Sequence, residues 1–384
     1  MKGLTELGLR CYREVERNAG NLCLSPLSIG ACLGLLLPGA KRGTLDALQR
    51  ALGLPDAPAL AELLAELAKR RQPVEWLRQS LADDPAAEAA HGVHLSIANG
   101  LWVQCDYPME PAYERELAAR FGVEPAPVDF AGAPAEACAE INRWVRDATD
   151  QRIERIVDEH ALGFPVRALL ASAVSFRSRW LQPFEENWTE PRPFHLLGGD
   201  VVTVPTMRGL VYLDCARTGE LELVELPYDR PEVTMTLVIP PRGQFEEFGA
   251  ELSAAGLESI VSVLKGQERY VDLRVPKLRF ETDLDLTAAL GAAGLDALFD
   301  ETRAELSGIS PEPGLHPGAV LHRTFLSVDE WGTEAAAATV SHTVGGLPPE
   351  PVVVDVDRPF FFFIRDRPTG ACLFFGRVLD PTGG

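Results

Sequence analysis

Apolar residues recur along this chain with two different periods, and the alternation between them lays out its elements. Leu4, Leu7, Cys11 and Val15 share one helical stripe that Asn18, Ala19 and Gly20 end, which predicts an amphipathic covering helix. In NLCLSPLSIGACLGLLLPGAKRGTLDALQRALG, Ser25 is placed as an N-cap with Pro26 in the first turn. The apolar run reaches Leu37, breaks at Pro38 and Gly39, and restarts behind Thr44, so two buried helices are predicted. Residues 58–71 read as a helix that Pro73 interrupts, and 83–92 as a loop. Period-two alternation in HLSIANGLWVQ predicts a strand over 94–104, with Leu95, Ile97, Leu101 and Val103 as its apolar positions. Ile141, Val145, Ile153 and Ile156 are spaced for helical faces over 141–160. The near-continuous small and apolar run 168–176 suits the middle of a sheet. From 190 to 240 short strands succeed one another, with turns at Gly198-Gly199 and Asp229-Arg230-Pro231. A strand and then a helix from about Asp283 follow, and PFFFFIRDRPTGACLFFGRVLDP predicts a buried hairpin joined by a Pro-Thr-Gly turn.

The stretch from 319 to 349 does not fit either period throughout. Residues 320–328 alternate and predict a strand ending at the acidic pair Asp329 and Glu330. Gly332 then supplies backbone freedom, and Thr333, Glu334, Ala335, Ala336, Ala337, Ala338 and Thr339 have good helix propensity but little to bury. Gly345, Gly346, Pro348 and Pro349 argue for an exposed loop. By composition this run reads as an alanine-rich surface helix or a linker. As a strand it would carry Thr333, Ala335, Ala337, Thr339, Ser341 and Thr343 on one face, all small enough to slide between two existing strands. Glu334, Ala336, Ala338, Val340, His342 and Val344 would occupy the other face and meet solvent.

With 384 residues the chain can bury the core of one large domain or two ordinary ones. A formal charge of −20 argues against nucleic acid or an anionic membrane as partner. No apolar run is long enough to span a bilayer, and the N-terminus reads as a helix rather than a cleavable signal, so a cytoplasmic location is expected. Lys69, Arg70 and Arg71 amid so much negative charge read as a solvated face rather than a heparin-type site. The seven cysteines are odd in number and scattered through apolar patterns, which suits reduced core thiols better than disulfides or metal ligands. Gly-x-Ser-x-Gly, His-Glu-x-x-His and Gly-x-Gly-x-x-Gly are all missing, and 34–42 departs from P-loop spacing by one residue, so an enzyme is not expected.

Several segments resemble one family, the serpins, in order along the chain. Asn21, Ser25, Pro26 and Ser28 match its Asn-x-x-x-Ser-Pro-x-Ser segment, and Asn142, Trp144, Val145 and Thr149 match a second. Phe176, Trp180, Pro183 and Phe184 match Phe-x-x-x-Trp-x-x-Pro-Phe, and the run after Gly332 is similar to the family's hinge and reactive-centre loop. The similarity extends from about residue 4 to 382 and points to the inhibitory type, prokaryotic members included. It implies an α+β fold, a single serpin domain over 1–384, with three β-sheets surrounded by about eight or nine helices and an exposed mobile reactive-centre loop at about 330–350. It also implies a monomer needing no cofactor or metal, and an extracellular location as for many members.

The resemblance assigns roles as well. The hinge would run from Glu330 through Gly332, Thr333, Glu334, Ala335, Ala336, Ala337 and Ala338 to Thr339. Trp180 and Lys277, the latter reaching Glu330, would form the breach where the loop first joins the sheet. Ser25, Ser28, Ser172 and His322 would form the shutter where the sheet opens. Ser172 stands where many members have Asn, which implies a rewired hydrogen-bond network to His322. Trp331 stands where a smaller or charged residue is usual. Counting from Gly332 places the reactive bond at Gly346-Leu347, and a span to Pro359 about two residues longer than common widens it to Thr343 through Leu347. The implied activity is suicide inhibition of a serine protease through a covalent complex. With no Arg or Lys there, the targets implied are elastase-like, subtilisin-like or chymotrypsin-like. The alternative is a non-inhibitory carrier, chaperone or storage protein of the same fold.

Overall fold

The computed structural model describes residues 2–16, 20–72, 75, 91–149, 151–158, 162, 166–333 and 349–383. Helix α1 (Lys2–Val15) buries Leu4, Leu7, Cys11 and Tyr12. Strand β1 (Leu22–Leu24) leads into α2 (Pro26–Gly34), which is buried at every position because it passes beneath the central sheet. Ser25 caps it, its Oγ accepting from Ser28 N at 3.1 Å. Helix α3 (Arg42–Leu52) starts earlier than the Thr44 cap predicted. The Glu305 carboxylate satisfies the free amide of Gly43 at 2.9 Å, while Thr44 Oγ1 accepts from Glu305 N at 2.9 Å, so a distant chain segment does the capping. Only Thr44, Leu48 and Leu52 of α3 are buried, so it is a one-faced helix rather than a buried one.

Asp56 caps α4 (Ala57–Ala68), whose end carries the three basic residues. They are not a uniform solvated face: Arg70 turns inward and its Nε lies 2.8 Å from Asp366 Oδ1, a fully buried carboxylate that needs a counter-charge, while Lys69 and Arg71 stay exposed. Strand β2 (His94–Gln104), α5 (Pro111–Phe121) and β3 (Ala126–Val128) follow. Helix α6 (Pro134–Ala148) is shorter than the helical spacing over 141–160 suggested. Asn142 Oδ1 accepts from the amides of Ile156 and Val157 at 2.8 and 3.2 Å, and Thr149 Oγ1 accepts from Ile153 N at 3.2 Å. The chain therefore folds back on α6, and Ile153 and Ile156 reach the core without being helical.

Strands β4 (Ala168–Arg179), β5 (Glu190–His195), β6 (Val201–Thr218), β7 (Leu221–Pro227) and β8 (Val233–Ile239) come next. Helices α7 (Phe245–Glu251) and α8 (Ala254–Leu264) precede β9 (Glu268–Pro276) and β10 (Leu278–Asp285). The helix expected from Asp283 begins only at Thr287, as α9 (Thr287–Leu290), because 283–285 stay paired with β11. The remaining strands are β11 (Pro317–Asp329), β12 (Gly332–Thr333), β13 (Val352–Asp355), β14 (Phe360–Asp366) and β15 (Ala371–Val378). Eight of the described α-helices have seven residues or more.

One sheet has six strands in the order β10-β11-β12-β4-β2-β3. The other runs β1-β15-β14-β8-β7-β6-β9-β13, with β5 on β6. Two sheets therefore stand among the described residues where three were expected, because the 18-residue β6 carries pairing without a break from β5 at one end, through β9, to β7 at the other. Strand β4 is central to the fold: Leu170, Val174 and Phe176 join the main core on one side, while Leu169, Ala171 and Ala173 join the core under α6 on the other. Of the cysteines, Cys11, Cys23, Cys32, Cys215 and Cys372 are buried, Cys138 is half-buried, Cys105 is exposed, and none is in a disulfide.

Candidate functional site

Strands β4 and β11 run parallel and pair directly from Ala168 with Pro317 to Ser175 with Phe325. Beyond that point they part, and β12 occupies the space at the upper end. Gly332 pairs with Arg179 and Asp329, and Thr333 with Ser178 and Val328, so these two hinge residues already lie between the two strands, antiparallel to both. The sheet is thus a wedge with its first two inserted residues in place.

The turn that brings β12 back is built by Asp329, whose Oδ1 accepts from Trp331 N at 2.9 Å and Gly332 N at 3.2 Å. Gly332 is at φ +153, and a Cβ there would lie 2.2 Å from the Ser178 carbonyl oxygen, so only glycine admits this approach. Thr333 is fully buried, with its Oγ1 2.9 Å from the Tyr228 hydroxyl. Tyr228 stacks on Trp180 at 4.6 Å, and the Trp180 indole donates to the Asp329 carbonyl at 3.0 Å. Trp180 N also donates to Trp331 O at 2.9 Å, which ties the end of β4 to the turn.

Lys277 and Glu330 are brought together, Nζ to Oε2 at 2.7 Å, and the other carboxylate oxygen accepts from Thr189 Oγ1 at 2.6 Å. Burial would raise the Glu330 pKa, but the hydrogen bonds from Lys277 and Thr189 outweigh it and hold the group below the ordinary carboxylate range. The lysine side chain is 40% exposed, so solvent screens the attraction and the pair acts more as a geometric anchor than as a source of stability.

Lower in the sheet, Ser25, Ser28, Ser172 and His322 form one buried cluster. Ser25 N donates to His322 Nε2 at 3.0 Å, which leaves the neutral ring's proton on Nδ1, facing Ser172 Oγ at 3.2 Å. The Ser172 and Ser28 hydroxyls share a hydrogen bond at 2.7 Å. Serine therefore bridges the histidine to α2 at the position where Asn is common in the family. Burial drives the His322 pKa down to about 3, and the hydrogen bond at Ser172 offsets only part of that. Beside it Thr324 Oγ1 donates to Cys23 O at 2.8 Å and Cys23 N to Thr282 Oγ1 at 3.0 Å, tying β1 to the sheet.

Sequence reasoning missed Tyr228, Thr189 and a second cluster. Asp229 accepts from Gly92 N at 2.9 Å and Ser178 Oγ at 3.2 Å, with His91 Nδ1 2.9 Å away, and so fixes the strand edge against which Thr333 rests. No local signal marks these residues, since their partners lie far away in the chain. Glu334, Ala335, Ala336, Ala337, Ala338 and Thr339 of the hinge, and the reactive bond at Gly346-Leu347 within Thr343 to Leu347, lie outside the described residues. Among the described residues no group of three or more His, Cys, Asp or Glu could hold a metal ion.

A family model described as Serpin (serine protease inhibitor) matches residues 2–381. This chain belongs to the serpin family. An uncharacterized serpin-like protein of Thermococcus kodakarensis is 33% identical over 97% of this chain and 84% of its own length. Mouse leukocyte elastase inhibitor A is 30% identical over 98% of each chain. Among solved structures, human thyroxine-binding globulin superposes with a TM-score of 0.83 and 25% identity over 99% of this serpin and 98% of the globulin. The family includes protease inhibitors, and its members are generally inhibitors rather than enzymes.

Proposed function

We propose that this serpin is a suicide inhibitor of serine-type endopeptidases, with 330–350 as its reactive-centre loop. The observation that carries this reading is the seating of Gly332 and Thr333 between β4 and β11. A protease attacks the exposed loop and forms an acyl-enzyme, and the freed strand then continues the insertion that β12 begins, before water deacylates the ester. Each inserted residue would hydrogen-bond to both neighbours. Over about 14 residues, at roughly 1 kcal/mol per net bond, the gain is on the order of 10 kcal/mol. A strand of that length spans roughly 46 Å, close to the width of a globule of this size, so the protease would be carried to the opposite pole.

The rival is a serpin-fold carrier, chaperone or storage protein, and thyroxine-binding globulin is named for binding thyroxine. Against it stands the hinge sequence: on the face that Thr333 turns inward, the next residues are Ala335, Ala337 and Thr339, with no charge or proline to halt insertion. The test is to mix the protein with subtilisin, pancreatic elastase and chymotrypsin, and look for a complex that survives boiling in detergent, with the cut mapped by mass spectrometry. A cut between Thr343 and Leu347 with trapped protease is expected. Complete cleavage with undiminished protease activity throughout would favour the carrier.

A further inference from the structure

We propose that Trp331 is a positioning residue, a clamp that holds the hinge pre-seated in the sheet of the intact protein. The inference rests on the loop-insertion reading for its consequence, but not for its geometry. The backbone at Trp331 is held on both sides, its N–H by Asp329 Oδ1 at 2.9 Å and its carbonyl by Trp180 N at 2.9 Å. The side chain then makes two contacts that no small residue could make. Its indole N–H donates to Glu186 Oε1 at 2.9 Å, and the Arg179 guanidinium lies over its ring at 5.6 Å.

These two contacts bridge the elements on either side of the hinge. Arg179 is the last residue of β4, is buried, and is the register partner of Gly332. Glu186 opens the short turn Glu186–Trp188, two residues beyond Phe184, whose N–H holds the Glu330 carbonyl at 2.8 Å. One tryptophan thus fastens the turn before the hinge to the end of β4 and to the turn that follows it. Its neighbour on the other side, Gly332, has no side chain to contribute. Leaving the sheet would carry Gly332 and Thr333 away from Ser178 and Arg179 against both contacts.

The consequence is kinetic. Strand addition is slowest at its first pairs, since those order the chain before most bonds form. With Gly332 and Thr333 already paired on both sides, the first pairs of the insertion are made in advance, which favours trapping over deacylation. Loosening the clamp would shift each encounter toward turnover and raise the number of inhibitor molecules consumed per protease.

The test is hydrogen exchange by mass spectrometry on the intact full-length protein, read at the peptide that contains Gly332 and Thr333. The β14–β15 hairpin serves as the internal reference for global stability. In Trp331→Ala the hinge amides should exchange about tenfold faster, the ratio that one net hydrogen bond and a cation–π contact carry together. Trp331→Phe keeps a ring for Arg179 but loses the indole N–H, and Glu186→Leu removes the acceptor; both should fall between. Glu186 is exposed, so its variant reports even if Trp331→Ala proves unstable. Stoichiometry with subtilisin should rise in the same order. Hinge exchange unchanged in all three variants would overturn the clamp. Should the wild type trap no protease while its hinge exchange obeys this order, the inhibitory reading fails and the clamp stands.

Discussion

His322 shows how strongly the fold can act on one side chain. In an unfolded chain its imidazole would titrate at about 6.5, whereas beneath the sheet it stays neutral down to about 3. The unfolded state therefore binds the extra proton first as pH falls. The stability this histidine confers is complete above pH 6.5 and is lost progressively between 6.5 and 3. At pH 5.5 the loss from this group is on the order of 1 kcal/mol relative to pH 7.5. We expect denaturant midpoints to fall accordingly across that interval, and His322→Gln, which takes no proton, to lack this part of the slope. A slope identical in wild type and variant would mean that water already reaches the ring. The resemblance named His322 and Ser172 together, but which nitrogen faces which partner follows from Ser25 N–H, a group that sequence cannot place.

At the level of elements, β12 decides what the hinge can tolerate. Thr333 heads the small residues on the inward face of 333–343, and the structure has it in the sheet already, buried against Tyr228. Thr333→Arg would put a cation into a space closed by Val328, Ser178 and Tyr228 at a cost of several kcal/mol. The hinge should be expelled before any protease arrives, and the variant cut as an ordinary substrate while Thr343 to Leu347 remain unaltered. Retention of wild-type stoichiometry on titration against subtilisin would remove the hinge from the account. Elements whose pattern repeats over many residues were legible in the sequence, β2 at its full length and the 360–378 hairpin among them. Helix ends were not: after α6 the chain folds back because Asn142, inside that helix, accepts from the amides of Ile156 and Val157, and α3 starts where Glu305, distant in sequence, takes the Gly43 amide.

For the whole molecule, the wedge between β4 and β11 sets the room for a further strand. Among the described residues, direct pairing ends at Ser175 and Phe325, and Gly332 and Thr333 of β12 pair with both strands above it. Cleavage within the loop should let the remaining strand fill the space. Loop residues gaining about 1 kcal/mol each would raise the melting temperature of a chain this size on the order of 20 °C. Calorimetry on protein nicked by a protease that escapes trapping gives the comparison. An unchanged melting temperature would show that the loop does not insert.

What this sequence determined by itself was local: which runs alternate, which turn, and which residues on the inward face of 333–343 are small. Those properties follow from backbone periodicity and side-chain size, and they need no knowledge of partners. Tertiary structure alone decided that β6 joins two sheets into one, that Arg70 turns inward to Asp366, and that Trp331 closes on Glu186 and Arg179. Each of those depends on groups brought together from distant parts of the chain, where a buried charge or an unpaired backbone amide must find its counterpart, and the search for that counterpart leaves no mark on the residues nearby.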